Sequence, residues 1–338
     1  MPFQAPAHRP AVSRRQLLLA AAASSLAGAA SLALPRVAHA ADNFPSKPIK
    51  VVVPFGPGGV ADLTARAVGQ ALSARLGQGV VIDNRPGAGG VVAGDLVARS
   101  APDGYTLLLM SNGNAVSEGL FKKLPFDTRK SFAPVSLLGT FDLALVVPEQ
   151  SPIKNVKQLL GEPAGKLNVG SINVGSTQHL SAELIRLTTK AGFQVVPFNG
   201  SPAVITALRG GQVDAAVEIL APLLPQIKSG AMRALAVLGS KRSPFLPDVP
   251  TLGEAAGVAD FDVSSWNAFA APAGTPPEII DRLAKETQAV LATDALKKQL
   301  ADLSVQARAS TPAELASLLD SEIKRWSSVI ERAGIAKQ

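Results

Sequence analysis

Two stretches of this chain read alike, and together they constrain the fold more than any other feature. "VVVPFGPGGVADLTARAVGQAL" (51–72) runs from β-branched residues through Pro54 into a loop of Gly56, Pro57, Gly58 and Gly59. Apolar residues then recur at Leu63, Ala67, Val68, Ala71 and Leu72, which is helical spacing. "KLNVGSINVGSTQHLSAELIRLT" (166–188) repeats the order. A strand leads into Gly170, Ser171, Asn173, Gly175, Ser176 and Thr177, and a helix follows through Leu180, Leu184 and Leu187. Ser176 or Thr177 suits the helix cap. Strand, glycine loop and helix repeated along a chain predict an α/β fold with largely parallel sheets.

Such loops aim backbone N–H groups and the positive end of a helix dipole at whatever sits above them. They are anion cradles. Nucleotides fit poorly. A phosphate-binding loop of the G-x-x-x-x-G-K-[ST] type needs a lysine, and none lies between Gly56 and Leu72. Gly56-Pro57-Gly58-Gly59-Val60-Ala61 matches G-x-G-x-x-G only loosely, with Asp83 near the place of a ribose-reading acid. A dinucleotide and a plain connecting turn stay open as alternatives. Two such loops facing across a cleft would grip one small anion from both sides.

The N-terminus speaks for export. Arg9, Arg14 and Arg15 precede an uncharged run from Leu17 to Leu34, and Ala38-His39-Ala40 is a small-x-small cleavage site. Ser13-Arg14-Arg15-Gln16-Leu17-Leu18 fits the twin-arginine pattern, with general secretion as the alternative. Residues 1–40 are therefore expected to be a cleaved signal, with the mature protein periplasmic. No later segment reaches 18 uncharged apolar residues, so no transmembrane helix is expected. The net charge of +7 includes four leader arginines and no leader acid, leaving +3 beyond residue 40. That balance, without a basic stripe, gives no case for nucleic acid. Cysteine is absent, and His179 is the sole histidine past the leader. No thiolate or multi-histidine metal site can be built, and no cofactor is expected. No G-x-S-x-G elbow is present either.

Beyond the leader, strand patterns fall at 50–53, 80–83, 106–110, 141–148, 193–198, 213–220 and 233–239. "NRPGAGG" (84–90) is a turn into a helix through Leu96–Ala98, and Ser111-Asn112-Gly113-Asn114 reads as a polar turn. Ile153–Leu160 and 201–211 read as helices. Residues 277–297 and 311–333 are strongly helical, and these last two are expected to cover the first part of the fold.

The quoted residues carry a resemblance. "FPSKPIKVVVPFGPGGVADLTAR" (44–66), "VIDNRPGAGGVVAGDLVARSAPDGYTLLL" (81–109), "KLNVGS" (166–171), "GGQVDAAV" (210–217), the segment 233–257 and "APAGTP" (271–276) stand in family order over nearly the whole chain after the leader. The chain resembles the solute-binding receptors of tripartite tricarboxylate transporters, also called Bug proteins. The resemblance implies a two-lobed type II periplasmic binding protein fold with two strand crossings between the lobes. Lobe I would comprise 43–141 plus 267–338, and lobe II 142–266. It also implies a small carboxylate ligand held largely by backbone N–H groups, a monomeric protein, and membrane permease components on other chains.

The loops matching the family's carboxylate clamp are Phe55, Gly56, Pro57, Gly58 and Gly59 with Asp62; Ser111, Asn112 and Asn114; and Ser171, Asn173, Gly175, Ser176 and Thr177 with His179. Departures bear on the ligand. Phe198-Asn199-Gly200-Ser201 stands where the family often has Tyr-Lys-Gly-Ser, which places Asn199 near the cleft. Glu218 stands where the family usually has Asp, and Ile172 and Val174 make the second loop more apolar.

Each residue has a plainer reading. Gly58 and Gly59 suit a turn with positive φ. Asp62 suits a helix N-terminus and would order the loop or hold water, since its charge opposes an anion. His179 reads as a structural histidine or, charged, as an anion attractor. Glu218 would be solvated, or in a cleft would repel a second carboxylate or accept from an ammonium or amide. Arg85 reads as structural, and Trp266 as a hinge aromatic or a lid. Two other functions remain: a sensory protein serving a membrane kinase, and an exported enzyme on the same scaffold.

Overall fold

A computed structural model of the chain describes Met1 and residues 44–338. The expected export signal, with Arg14, Arg15 and the cleavage site expected after Ala40, lies outside the described residues. Among the described residues no helix is long and apolar enough to cross a membrane.

The chain builds two α/β halves from the pattern its sequence announces. In the first, β1 (Ile49–Val53) pairs in parallel with β2 (Val80–Asn84) and with β3 (Thr106–Ser111). Helices α1 (Val60–Leu76), α2 (Val91–Ala98) and α3 (Asn112–Leu120) lie between or after them. Gly77, at φ 66°, ends α1 in the left-handed region that glycine enters without penalty. In the second half, β5 (Asn168–Ile172) pairs in parallel with β6 (Gln194–Phe198) and β7 (Ala215–Ile219). Here α5 (Thr177–Thr189), α6 (Ser201–Arg209) and α7 (Leu220–Lys228) alternate with the strands, and the short α4 (Val156–Leu160) precedes them.

One long strand joins the halves. The first part of β4 (Phe132–Pro148) pairs antiparallel with β9 (Ser264–Pro272), from Phe132↔Pro272 to Asp142↔Ser264. From Leu143 onward it pairs with β7 and with β8 (Met232–Val237). The chain returns where Val263 N–H donates to the Leu238 carbonyl, just before β9. These are two strand crossings. The sheet order is β2-β1-β3-β9-β4-β7-β5-β6, with β8 and β10 (Gln306–Ala307) on β4.

The C-terminal helices differ in what they cover. α9 (Pro277–Leu291) and α10 (Asp294–Asp302) pack on α1, β4 and β10, all in the first half. The sequence suggested one helical run over 277–297, but the chain breaks at Ala292. Thr293 then caps α10, its hydroxyl accepting from Leu296 N–H. α11 (Pro312–Arg332) starts with a reciprocal cap between Thr311 and Glu314. It packs on α3 and β4 and also reaches α5 in the second half. Its buried face includes Leu315, Leu319, Ile323, Trp326 and Val329. A single apolar cluster runs from Leu108 and Met110 through Leu143 and Leu145 to Leu180 and Trp326, so the halves share a core.

Three other readings change. Ser111–Asn114 is not a turn: Ser111 ends β3 and caps α3. Strand β4 begins nine residues before the 141–148 pattern. α7 and the five-residue α8 (Leu252–Ala256) arise where no helix was expected.

Candidate functional site

A cavity of about 740 Å³ opens between the halves. Its walls are the places where strands turn into helices. The N-termini of α1 and α3 enter from the first half, and those of α5, α6 and α7 from the second. At α1 the first intrahelical donation is Leu63 N–H to the Gly59 carbonyl, so the N–H groups of Val60 and Ala61 precede the hydrogen-bond ladder. At α5, Leu180 N–H bonds the Ser176 carbonyl and His179 N–H the Ser176 hydroxyl, leaving those of Thr177 and Gln178 outside it. Val60, Ala61, Thr177 and Gln178 all line the cavity. No Lys, Arg, Asp, Glu or His is among its lining residues. Phe55, Val116, Leu120, Phe121, Phe141, Ile172, Val174 and Ile219 supply apolar wall.

Asn267 of β9 is the most telling side chain. It is 1% exposed and lines the cavity, and neither its amide nitrogen nor its carbonyl oxygen has a hydrogen-bond partner. The sheet register sets it opposite Ser111, beside the α3 N-terminus. Buried amides are normally paired, and an unpaired one costs about 1–3 kcal/mol. Asn112 donates to the Ser264 carbonyl at 3.2 Å, but its own Oδ1 is likewise buried and unpaired.

Of the residues expected at the site, Phe55, Gly59, Ser111, Asn112, Asn173, Gly175, Ser176 and Thr177 line the cavity. Gly56, Pro57, Gly58, Asp62, Asn114, Ser171, His179, Asn199 and Glu218 do not, each for a visible reason. Gly58 N–H is taken by the Asp62 carboxylate at 2.8 Å. Positive φ belongs to Gly58 (86°), whereas Gly59 is extended at φ −78°. Gly56 and Pro57 are exposed at the loop tip. Asp62 orders this loop: Asn84 donates to it at 2.9 Å and also holds the Phe55 carbonyl, and Arg66 pairs with it at 3.0 Å. Burial alone would raise the Asp62 carboxyl, but the bonds from Arg66, Gly58 and Asn84 outweigh it and hold it low.

Asn114 closes the α3 cap, accepting from Ser111 N–H at 3.0 Å. Asn199 is exposed in the turn after β6. Ser171 is buried with its hydroxyl unpaired. His179 sits behind the second loop, its Nδ1 facing Gly175 N–H at 3.4 Å. Burial pushes its pKa down, opposed by Glu183, so it is neutral at pH 7 and no anion attractor. Arg85 pairs with Asp83 at 2.9 Å, away from the cavity. Trp266 is buried in the shared core and does not line the cavity, so it is no lid.

Glu218 is fully buried at the end of β7. Its Oε1 accepts from Gln178 Nε2 at 2.6 Å and from Ile219 N–H at 2.7 Å, while Oε2 has no partner. Burial pushes its carboxyl up, partly offset by Gln178, Ile219 and Ser201. Those last three residues line the cavity, so Glu218 stands directly behind its second-half wall.

Sequence reasoning missed Asn267 and Gln178 as wall residues, while Gly113 and Ser201 lay within stretches it already placed at the cleft. The one available signal was an asparagine inside the apolar run "WNAFAAP". Gly113 is needed for close approach, because a Cβ there would lie 2.8 Å from the Gly89 carbonyl. Among the described residues no group of three His, Cys, Asp or Glu side chains could hold a metal.

Comparison with known proteins decides the family. Residues 64–335 match the "Tripartite tricarboxylate transporter family receptor". The chain belongs to this receptor family. Protein BugT of Bordetella pertussis is 38% identical over 303 residues, covering 87% of this chain and 91% of BugT. Among solved structures, the R. palustris protein Rpa4515 with adipate is 33% identical. It superposes with a TM-score of 0.77 over 87% of this chain and 100% of its own. MatC from Rhodopseudomonas palustris with bound malate is also 33% identical, with a TM-score of 0.72 over 85% of this chain and 100% of its own. The two-lobed α/β architecture of this receptor is thus that of periplasmic binding proteins.

Proposed function

We propose that this receptor captures a small carboxylate in the interlobe cavity and delivers it to the membrane components of a tripartite transporter. One observation carries the reading. Asn267 is buried with every side-chain polar atom unpaired, and it faces a cavity into which helix N-termini converge. A carboxylate there would accept from that amide and from N–H groups outside any ladder. In a site shielded from water such donors bind strongly without a formal positive charge. Adipate and malate in two relatives are acids of this chemistry.

The lobes in this reading are 43–141 plus 267–338 and 142–266, and they close about the crossings in β4 and before β9. The mature protein is a periplasmic monomer released by cleavage after Ala40, and it performs no catalytic step. Thermal denaturation with a panel of carboxylates tests the binding claim. A ligand at a hundredfold excess over its Kd stabilises the fold by about 2.7 kcal/mol. A flat response to every acid, with a shift for a neutral or cationic solute, would defeat it.

A further inference from the structure

Two asparagine amides in the cavity wall present more polar atoms than a carboxylate can satisfy. Asn267 is 1% exposed, with Nδ2 and Oδ1 both unpaired. Asn112 is also 1% exposed. Its Nδ2 donates to the Ser264 carbonyl at 3.2 Å, and its Oδ1 is unpaired. Ser111, the register partner of Asn267, directly precedes Asn112, and both asparagines line the cavity. They therefore share one patch of wall beside the α3 N-terminus. That patch holds one donor nitrogen and two acceptor oxygens without partners. A carboxylate carries acceptors only. It can take the Asn267 nitrogen and the N–H groups at the helix ends, but it offers nothing to either oxygen.

We propose that Asn112 and Asn267 are specificity-determining residues that read a hydroxyl on the carbon next to the ligand's carboxylate, so that the preferred ligand is a 2-hydroxy acid. The inference rests on the carboxylate reading above and deepens it. Nδ2 and Oδ1 of Asn267 belong to one amide, so a group that serves the oxygen must sit close to the carboxylate that takes the nitrogen. A hydroxyl on the adjoining carbon meets that demand. Its proton goes to one of the two amide oxygens, and its own oxygen can accept the second N–H of Asn267. Each buried oxygen left without a donor is costly, so an acid lacking the hydroxyl is penalised. An ammonium in the same place is the poorer match. No Asp or Glu lines the cavity to balance its charge, and amide oxygens alone repay its lost hydration badly.

Hexanoate, the two enantiomers of 2-hydroxyhexanoate, 2-aminohexanoate and hexanamide test this, since they share a six-carbon chain and differ only at its head. Calorimetry on the wild-type protein at neutral pH should show one hydroxy enantiomer binding tighter than hexanoate by about tenfold or more, and tighter than 2-aminohexanoate. Asn112→Leu replaces Oδ1 by a methyl group. It should reduce the ratio of hydroxyhexanoate to hexanoate affinity by at least about threefold. Equal binding of hexanoate and both hydroxy enantiomers, tighter binding of 2-aminohexanoate, or an unchanged ratio in a folded Asn112→Leu protein overturns the inference and leaves the carboxylate reading standing. If none of the six-carbon acids binds, the carboxylate panel decides by the same rule: a tightest acid without a 2-hydroxyl overturns the inference alone. If hexanamide outbinds every acid, or no carboxylate binds at all, the inference falls together with that reading. The wild-type ranking needs no variant, so misfolding of Asn112→Leu would not shelter the proposal.

Discussion

The two halves present the same strand–loop–helix device to one cavity, and each buries an acid beside that cavity with opposite partners. Asp62 is held by Arg66, Gly58 and Asn84, and its carboxyl is pulled below the ordinary 3.8. Glu218 is held by neutral donors alone and no cation, and burial raises its carboxyl above the ordinary 4.5. The first acid stiffens a loop and leaves a cradle positive. The second stands uncompensated behind the second-half wall. The two acids thus differ in the partner of each carboxylate.

The largest expected effect is at Asn267. Asn267→Leu deletes the unpaired amide while keeping the side chain's branching and number of heavy atoms. Loss of a hydrogen bond to a charged oxygen corresponds to about 1.5–3 kcal/mol, hence a drop of roughly 10–150-fold in affinity. The unliganded protein should melt at an equal or higher temperature, because a buried unsatisfied group is gone. Calorimetry and thermal melts check both halves of this forecast; unchanged affinity would remove Asn267 from the site.

Next come the two acids, whose pH signatures have opposite sign. Asp62 has a lowered folded pKa, so its stabilisation is present above 3.8 and lost as pH falls below it. Asp62→Asn should therefore destabilise by about 1–3 kcal/mol at pH 7, and the gap should close in acid. Glu218 has a raised folded pKa, so its penalty appears as pH rises through 4.5. Glu218→Gln should match wild type in acid and exceed it at neutral pH. Urea melts over a pH series would break the comparison if both variants moved in the same direction.

The strand–loop–helix units that frame the cavity were legible in the sequence, because their apolar spacing and glycine loops are local signals. What failed was also local in origin. Ser111-Asn112-Gly113-Asn114 are all turn formers, yet Ser111 and Asn114 cap each other and start α3. Pro134 and Gly139 hid the first part of β4, where register shifts in the pairing with β9 accommodate both. Pro225 disguised α7. At the site, backbone donors and hydroxyls in the two loops could be named from their types. Asn267 could not, because its role depends on a register between strands far apart in sequence. Whether Glu218 was solvated or buried was open for the same reason.

Smaller effects sharpen the picture of the second loop. Ser176 caps α5 by accepting from His179 N–H at 3.0 Å. Ser176→Ala should cost about 1 kcal/mol of stability, measured by urea denaturation. His179 is neutral and lies behind the wall, so His179→Gln should change affinity by less than about threefold, with no added pH dependence between pH 6 and 8. Collapse of binding in that variant at pH 6 would restore a charged histidine as the anion attractor.

The most direct measurement is a crystal structure of the protein with a bound monocarboxylate such as hexanoate. The carboxylate is expected against the Asn267 amide and the N-terminal N–H groups of α1 and α3, with its hydrocarbon chain along Phe55, Phe141 and Ile172. A carboxylate paired with a lysine or arginine, or seated against Gln178 and Ser201 in front of Glu218, would contradict it.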